Sequence, residues 1–127
     1  MQKKELENLI GVFGKAYFNA DRDGLAKCTT PDFDWHQHSR NNSPTGQIIK
    51  GVDAVCREIL RRKKEWSGVR YDDFSNHFSD DLITSTFQVS GKDENGCRFN
   101  VRTVDLYSVR DGKIARKDSY WKQIIEE

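Results

Sequence analysis

No run of about 18 apolar residues occurs in this chain, so no membrane-spanning helix is expected. Charge of one sign is lacking too. The 21 lysines and arginines face 20 aspartates and glutamates, a formal net charge of +1. So balanced a chain offers no strong field to nucleic acid or anionic lipid, and neither is expected as a partner. Cysteine is sparse: Cys28, Cys56 and Cys97 are odd in number and widely spaced. That spacing excludes a disulfide framework and a zinc knuckle, and it fits a reducing cytoplasm best. Residues Met1 to Glu7 lack the apolar core of a signal peptide. Without secretion, the glycosylation sequon Asn41-Asn42-Ser43 carries no meaning.

What is present suits one domain over residues 1–127, with no repeat, low-complexity stretch or linker. Hydrophobic content is low at 35%, but three Trp, four Tyr and seven Phe supply bulk for a core and a pocket. Leu6, Leu9, Ile10, Phe13, Tyr17 and Ala20 recur at helical intervals and make one apolar stripe. Asp21-Arg22-Asp23-Gly24 breaks that helix; it lacks the spacing and closing glutamate of a calcium loop and reads as a turn. Leu25 to Cys28 fits one short further turn of helix. From Asp32 to His38 the pattern alternates, with Phe33, Trp35 and Gln37 on one face and Asp34, His36 and His38 on the other. Ser39 to Gly46 is a loop by composition. Val52, Val55, Cys56, Ile59 and Leu60 predict a second amphipathic helix ending near Trp66. Its basic run, Arg57, Arg61, Arg62, Lys63 and Lys64, reads as a solvated face. Four strands follow: 69–78, 82–90, 98–109 and 114–124. The last three are joined by turns at Asn95-Gly96 and Asp111-Gly112, whose residues tolerate positive φ. Helices followed by antiparallel hairpins mean α+β.

Three patterns carry a family resemblance. They are the helix ending in Asn19-Ala20-Asp21-Arg22-Asp23-Gly24-Leu25 with Pro31-Asp32-Phe33-Asp34-Trp35-His36; the segment 46–55 around Gly51; and the segment 104–114 ending in Asp111-Gly112-Lys113-Ile114. In that order they resemble the nuclear transport factor 2-like superfamily, and within it the SnoaL-like and ketosteroid isomerase-like proteins. The resemblance implies a cystatin-like fold: a curved antiparallel sheet shaped as a cone and packed on N-terminal helices. It also implies an open mouth for a small apolar or carbonyl-bearing molecule, no cofactor, and a homodimer joined through the outer face of the sheet.

Asp105 is the leading catalytic candidate. It lies mid-strand on a face shared with Val101, Thr103, Tyr107 and Val109, where its charged form is disfavoured. A neutral carboxylic acid there can donate a hydrogen bond to a developing oxyanion. The resemblance places Asp105 where ketosteroid isomerases keep such an acid, with a salt-bridged or capping structural aspartate as the alternative. At the position of the isomerase base stands Gln37, and an amide cannot accept a proton at neutral pH. The isomerase tyrosine aligns near Gly14, one turn before Tyr17. The acid of the epoxide hydrolases aligns with Ser119 rather than Asp118, and their other two polar residues with Phe87 and Val89.

With Ser119 at that acid's position, as the resemblance implies, strand period two puts Ser119 and Trp121 inward and Asp118 outward unless a bulge intervenes. The remaining bases are His36, His38 and Asp118, or a water held by Gln37. Tyr17, Phe33, Trp35, Trp66, Thr103, Tyr107 and Trp121 complete the expected ligand wall, as aromatic lining suits flat apolar molecules. Three readings stay open: an isomerase, cyclase or dehydratase; a non-catalytic binding or interaction module; and a metal-dependent enzyme using His36 and His38, with His77 as a third imidazole.

Overall fold

The computed structural model describes residues 1–39, 44 and 46–124. Helix α1 spans Lys3–Phe18, α2 Arg22–Cys28 and α3 Gly51–Glu65. The strands are β1 Thr29–His38, β2 Gln47–Lys50, β3 Ser67–Ser79, β4 Leu82–Lys92, β5 Arg98–Arg110 and β6 Lys113–Gln123. They form one open sheet in the order β2-β1-β6-β5-β4-β3, with the three helices packed over its concave face. The architecture is the expected α+β one. No described helix is long and apolar enough to cross a membrane. The loop centred on Asn41, Asn42 and Ser43 lies outside the described residues.

Local chemistry sets the element boundaries. The Asp21 carboxylate accepts from the Gly24 backbone N–H at 3.1 Å and caps α2. The short helix therefore starts at Arg22, three residues before its first buried apolar residue, Leu25. Asp111 and Gly112 both take positive φ, 54° and 73°, in the tight turn between β5 and β6. Strand β5 is close to ideal in its alternation: Phe99, Val101, Thr103, Asp105, Tyr107 and Val109 are buried, and their neighbours are not.

Two features depart from expectation. The sheet is mixed, because β1 runs parallel to β6 while every other pairing is antiparallel. Parallel neighbours are far apart in sequence and leave no turn signal between them. The short edge strand β2, with only Ile49 buried, sits within the segment 46–55, where no strand was expected.

The main core gathers at the closed end of the sheet. Phe13 of α1, 1% exposed, packs edge-on against Phe33 at 6.0 Å and Tyr107 at 5.3 Å, and stacks on Tyr17 at 5.9 Å. Aromatic pairs in these arrangements add to the energy of burial. Replacing Phe13 by alanine should cost about 3–5 kcal/mol in a urea unfolding curve. A loss below about 1 kcal/mol would mean that α1 is not pinned by this contact.

Candidate functional site

The helices do not fill the concave face. A cavity of about 280 Å³ remains between the sheet and α1, with Arg62 and Trp66 at one side. Trp35, Gln37, Asp105 and Trp121 all line it, as do Tyr17, Trp66, Thr103, Tyr107 and Ser119. Each strand contributes alternate residues, so the period of two that buries β5 also aims these side chains inward. Along α1, Gly11 and Gly14 form part of the wall. A methyl group added at either would meet no atom within 4 Å, so the absence of side chains here leaves room.

Asp105 lies at the heart of the cavity wall, 2% exposed. Its Oδ2 accepts from the Tyr107 hydroxyl at 3.4 Å and stands 3.9 Å from Lys117 Nζ. Desolvation raises the Asp105 pKa above its ordinary value, opposed by the Lys117 charge and by hydroxyls of Ser119 and Tyr107. The Ser119 hydroxyl itself accepts from Trp35 Nε1 at 3.0 Å, which leaves its proton free to point elsewhere. Lys117 is also buried. Burial pushes its pKa down to about 8, with Asp105 opposing the shift and Arg62 adding to it. Its ammonium sits 3.7 Å from the centroid of the Tyr17 ring and 4.7 Å from that of Trp35. Desolvation likewise raises both tyrosine hydroxyls, Tyr17 and Tyr107, which stay protonated at neutral pH.

Arg62 forms the side wall. Its guanidinium lies 4.6 Å from the ring centroids of both Trp35 and Trp66 and 5.7 Å from that of Trp121. Glu58 accepts from its Nε at 2.7 Å. Its Nη2 donates to Gln37 Oε1 at 3.3 Å. With the Gln37 oxygen so engaged, the amide nitrogen faces the cavity and has no hydrogen-bond partner among the described residues. Thr103 Oγ1 and Asp105 Oδ1 are likewise buried without hydrogen-bond partners among the described residues. All three belong to cavity-lining residues, and each orphaned polar atom costs about 1–3 kcal/mol unless water or a ligand pairs it.

Several expectations need correction. Phe33 shares the inward face of β1 but lies at its closed end, where Phe13 covers it; it is core, not cavity wall. His36, His38 and Asp118 lie on the opposite face of the sheet from the cavity, so none can serve as its base. That outer face is not simply solvated at the histidines: His36 is buried, and His38 stacks on Tyr120 at 4.3 Å, their rings nearly parallel. His77 sits on the far edge strand β3 and cannot join them. His36, His38 and Asp118 do bring one potential metal-ligand atom each within 4.8 Å of one another. However, Arg116 holds Asp118 Oδ1 from Nε at 3.0 Å and Nη2 at 2.9 Å. A metal there would compete with that guanidinium, and the sheet would separate it from anything in the cavity. Lastly, the basic run on α3 is not wholly a solvated face, since Arg62 turns into the site.

The family profile of the SnoaL-like domain matches residues 12–117. The chain belongs to this family. No functionally curated protein matches it. Among solved structures, this SnoaL-like domain is similar to a nuclear transport factor 2-like protein from Burkholderia xenovorans. The two are 18% identical, with 96% of this chain and 92% of that one covered and a TM-score of 0.78. It is also similar to a candidate SnoaL-like polyketide cyclase from Jannaschia, at 15% identity, 94% and 86% coverage and TM-score 0.72. A third neighbour is a ketosteroid isomerase-like fold from Catenulispora acidiphila in complex with trimethylamine. There the identity is 15%, with 90% of this chain and 85% of that one covered and a TM-score of 0.67. At these identities the likeness concerns the fold.

Sequence reasoning passed over Lys117 and Arg62. Both had a signal. Lys117 is two residues before Ser119 and four before Trp121, on the face already read as inward. Arg62 continues the stripe Val55, Ile59 and Trp66 at helical spacing. The buried ammonium has a measurable signature. Between about pH 8 and the ordinary lysine value of 10.5, the folded chain has shed the Lys117 proton while the unfolded chain still binds one. Stability contributed by this group therefore rises with pH across that window. Relative to Lys117→Met, the wild type should gain up to about 3 kcal/mol in urea unfolding between roughly pH 7 and pH 10.5. A difference that stays flat would mean the amine is solvated.

Proposed function

We propose that this SnoaL-like domain binds a small, flat, mostly apolar organic molecule bearing a carbonyl oxygen, and that Asp105 and Lys117 move a proton on it without a cofactor, as an isomerase or cyclase would. The observation that carries the reading is the set of orphaned atoms. Gln37 Nε2 offers a donor, Asp105 Oδ1 an acceptor and Thr103 Oγ1 either, all from one cavity otherwise walled by aromatic rings. A carbonyl oxygen fits the Gln37 donor, and flat carbon suits the faces of Trp35, Trp66 and Trp121. Asp105 has a raised pKa and Lys117 a lowered one, which brings both closer to neutrality and suits a donor and acceptor of protons.

A fused bicyclic ketone, 1-tetralone, tests the binding half. It should shift the indole N–H resonances of Trp35, Trp66 and Trp121 in an NMR titration. Gly14→Trp and the milder Gly14→Leu should each weaken binding at least about tenfold, because their side chains enter the cavity. Binding unchanged in both variants would place the ligand elsewhere. Exchange of the ketone's α-protons with deuterated water tests the catalytic half. Asp105→Asn should slow it at least about tenfold; binding with no exchange above the buffer rate would favour the non-catalytic module.

We also propose that the domain is a cytoplasmic homodimer joined through the outer face of the sheet. That face carries Tyr120 and Ile48, 44% and 39% exposed, beside the half-buried Val104 and Leu106. Light scattering at about micromolar concentration should give twice the chain mass, and Leu106→Lys should return the monomer. A monomeric wild type would remove this interface.

A further inference from the structure

The cavity contains a group that binding alone does not require. An amide, a hydroxyl and a carboxyl group are enough to hold a carbonyl compound. A buried lysine is costly and makes the site more reactive than binding demands. Lys117 is 4% exposed, lies over the face of Tyr17 and is crowded by aromatic carbon from Trp35 and Tyr107. The Asp105 oxygen nearest it, at 3.9 Å, is beyond hydrogen-bond length, so the amine is not locked in a tight ion pair. A second cation, Arg62, borders the same cavity. Apolar burial and a neighbouring cation are the two conditions that favour a neutral, nucleophilic lysine amine.

Resting on the binding reading above, we propose that Lys117 is a nucleophile that captures the ligand's carbonyl carbon as an iminium, with Asp105 ferrying the protons. The steps balance without any further reagent. Asp105 takes a proton from the ammonium. The neutral Nζ attacks the carbonyl carbon, a C–N bond forms, and the π pair moves to oxygen, which receives the proton back from Asp105. Asp105 then takes a second proton from nitrogen and gives it to the hydroxyl group. The C–O bond breaks and water leaves as the nitrogen lone pair closes the C=N bond. In sum, an ammonium and a carbonyl become an iminium and water, and the Asp105 carboxylate is restored. The iminium draws electrons from the adjacent carbon, and Asp105 is placed to remove a proton from it. The substrate class is thus narrowed to ketones and aldehydes with an α-proton, and esters and amides are poor candidates. The groups facing the amine, and so able to tune its reactivity, are Asp105 and Tyr107 from β5, Tyr17 from α1 and Arg62 from α3.

The test uses the full chain and pentane-2,4-dione, which condenses with a neutral lysine amine to an enaminone that absorbs in the near ultraviolet. The expected result is an adduct of dione minus water on intact mass, mapped by peptide analysis to Lys117. It should form at least about tenfold faster than modification at any other lysine. It should vanish in Lys117→Met and Lys117→Arg, and slow about tenfold in Asp105→Asn, each checked for native circular dichroism. Adducts spread evenly over surface lysines and unchanged by Lys117→Met would overturn the proposal. So would the absence of an adduct from a protein that still binds 1-tetralone, which leaves the binding reading standing. If neither compound engages the cavity, both readings fall together.

Discussion

A carboxylate and an ammonium, both buried, share one cavity wall, and most of the site's arrangement follows from making that tolerable. Either charge alone would be expensive at this depth, and removing one partner would strand the other. The surroundings divide the cost. The faces of Tyr17 and Trp35 receive the cation; Tyr107 and Ser119 supply hydroxyls to the anion. Because the two groups stand apart rather than in contact, neither is fully neutralised by the other. That leaves both available to a third party.

Arg62 ties the layers together. It reaches from α3 across the sheet's concave side, with Trp35 and Trp66 against its flat faces and Glu58 holding its root. The same guanidinium occupies the Gln37 oxygen, and this fixes which end of the amide looks into the cavity. The hydrogen-bonding character of the site is therefore set partly by a residue whose own charge faces carbon.

Much of this was legible in the sequence, for reasons that depend on range. Helical stripes and strand alternation are local, so α1, α3 and the residues sharing a face of β1, β5 and β6 could be read from spacing, while the family resemblance was needed to say that the face with Trp35, Asp105, Ser119 and Trp121 looks inward. Turn residues located the hairpins because Asp111-Gly112 needs positive φ. The parallel pairing of β1 with β6 was hidden, since no connecting turn advertises it, and so was β2, too short to show a period. Phe33 obeyed its strand period but not the expectation of lining a pocket, because whether an inward residue meets a cavity or a helix depends on where the helix crosses. Lys117 and Arg62 were overlooked for a different reason. Charged residues are assumed to seek water, and that prior outweighed a period that pointed them inward.

Gly11 and Gly14 leave room along the cavity wall on α1, whereas Gln37, Thr103, Asp105, Lys117 and Ser119 all come from the sheet. In the proposed site, the room for a ligand and the groups that would act on it are thus carried by separate parts of the chain. One replacement on the helix can retailor which molecules enter while the reacting groups keep their positions. A cavity divided in this way can change the shape it admits by small steps while its polar groups stay where the sheet holds them.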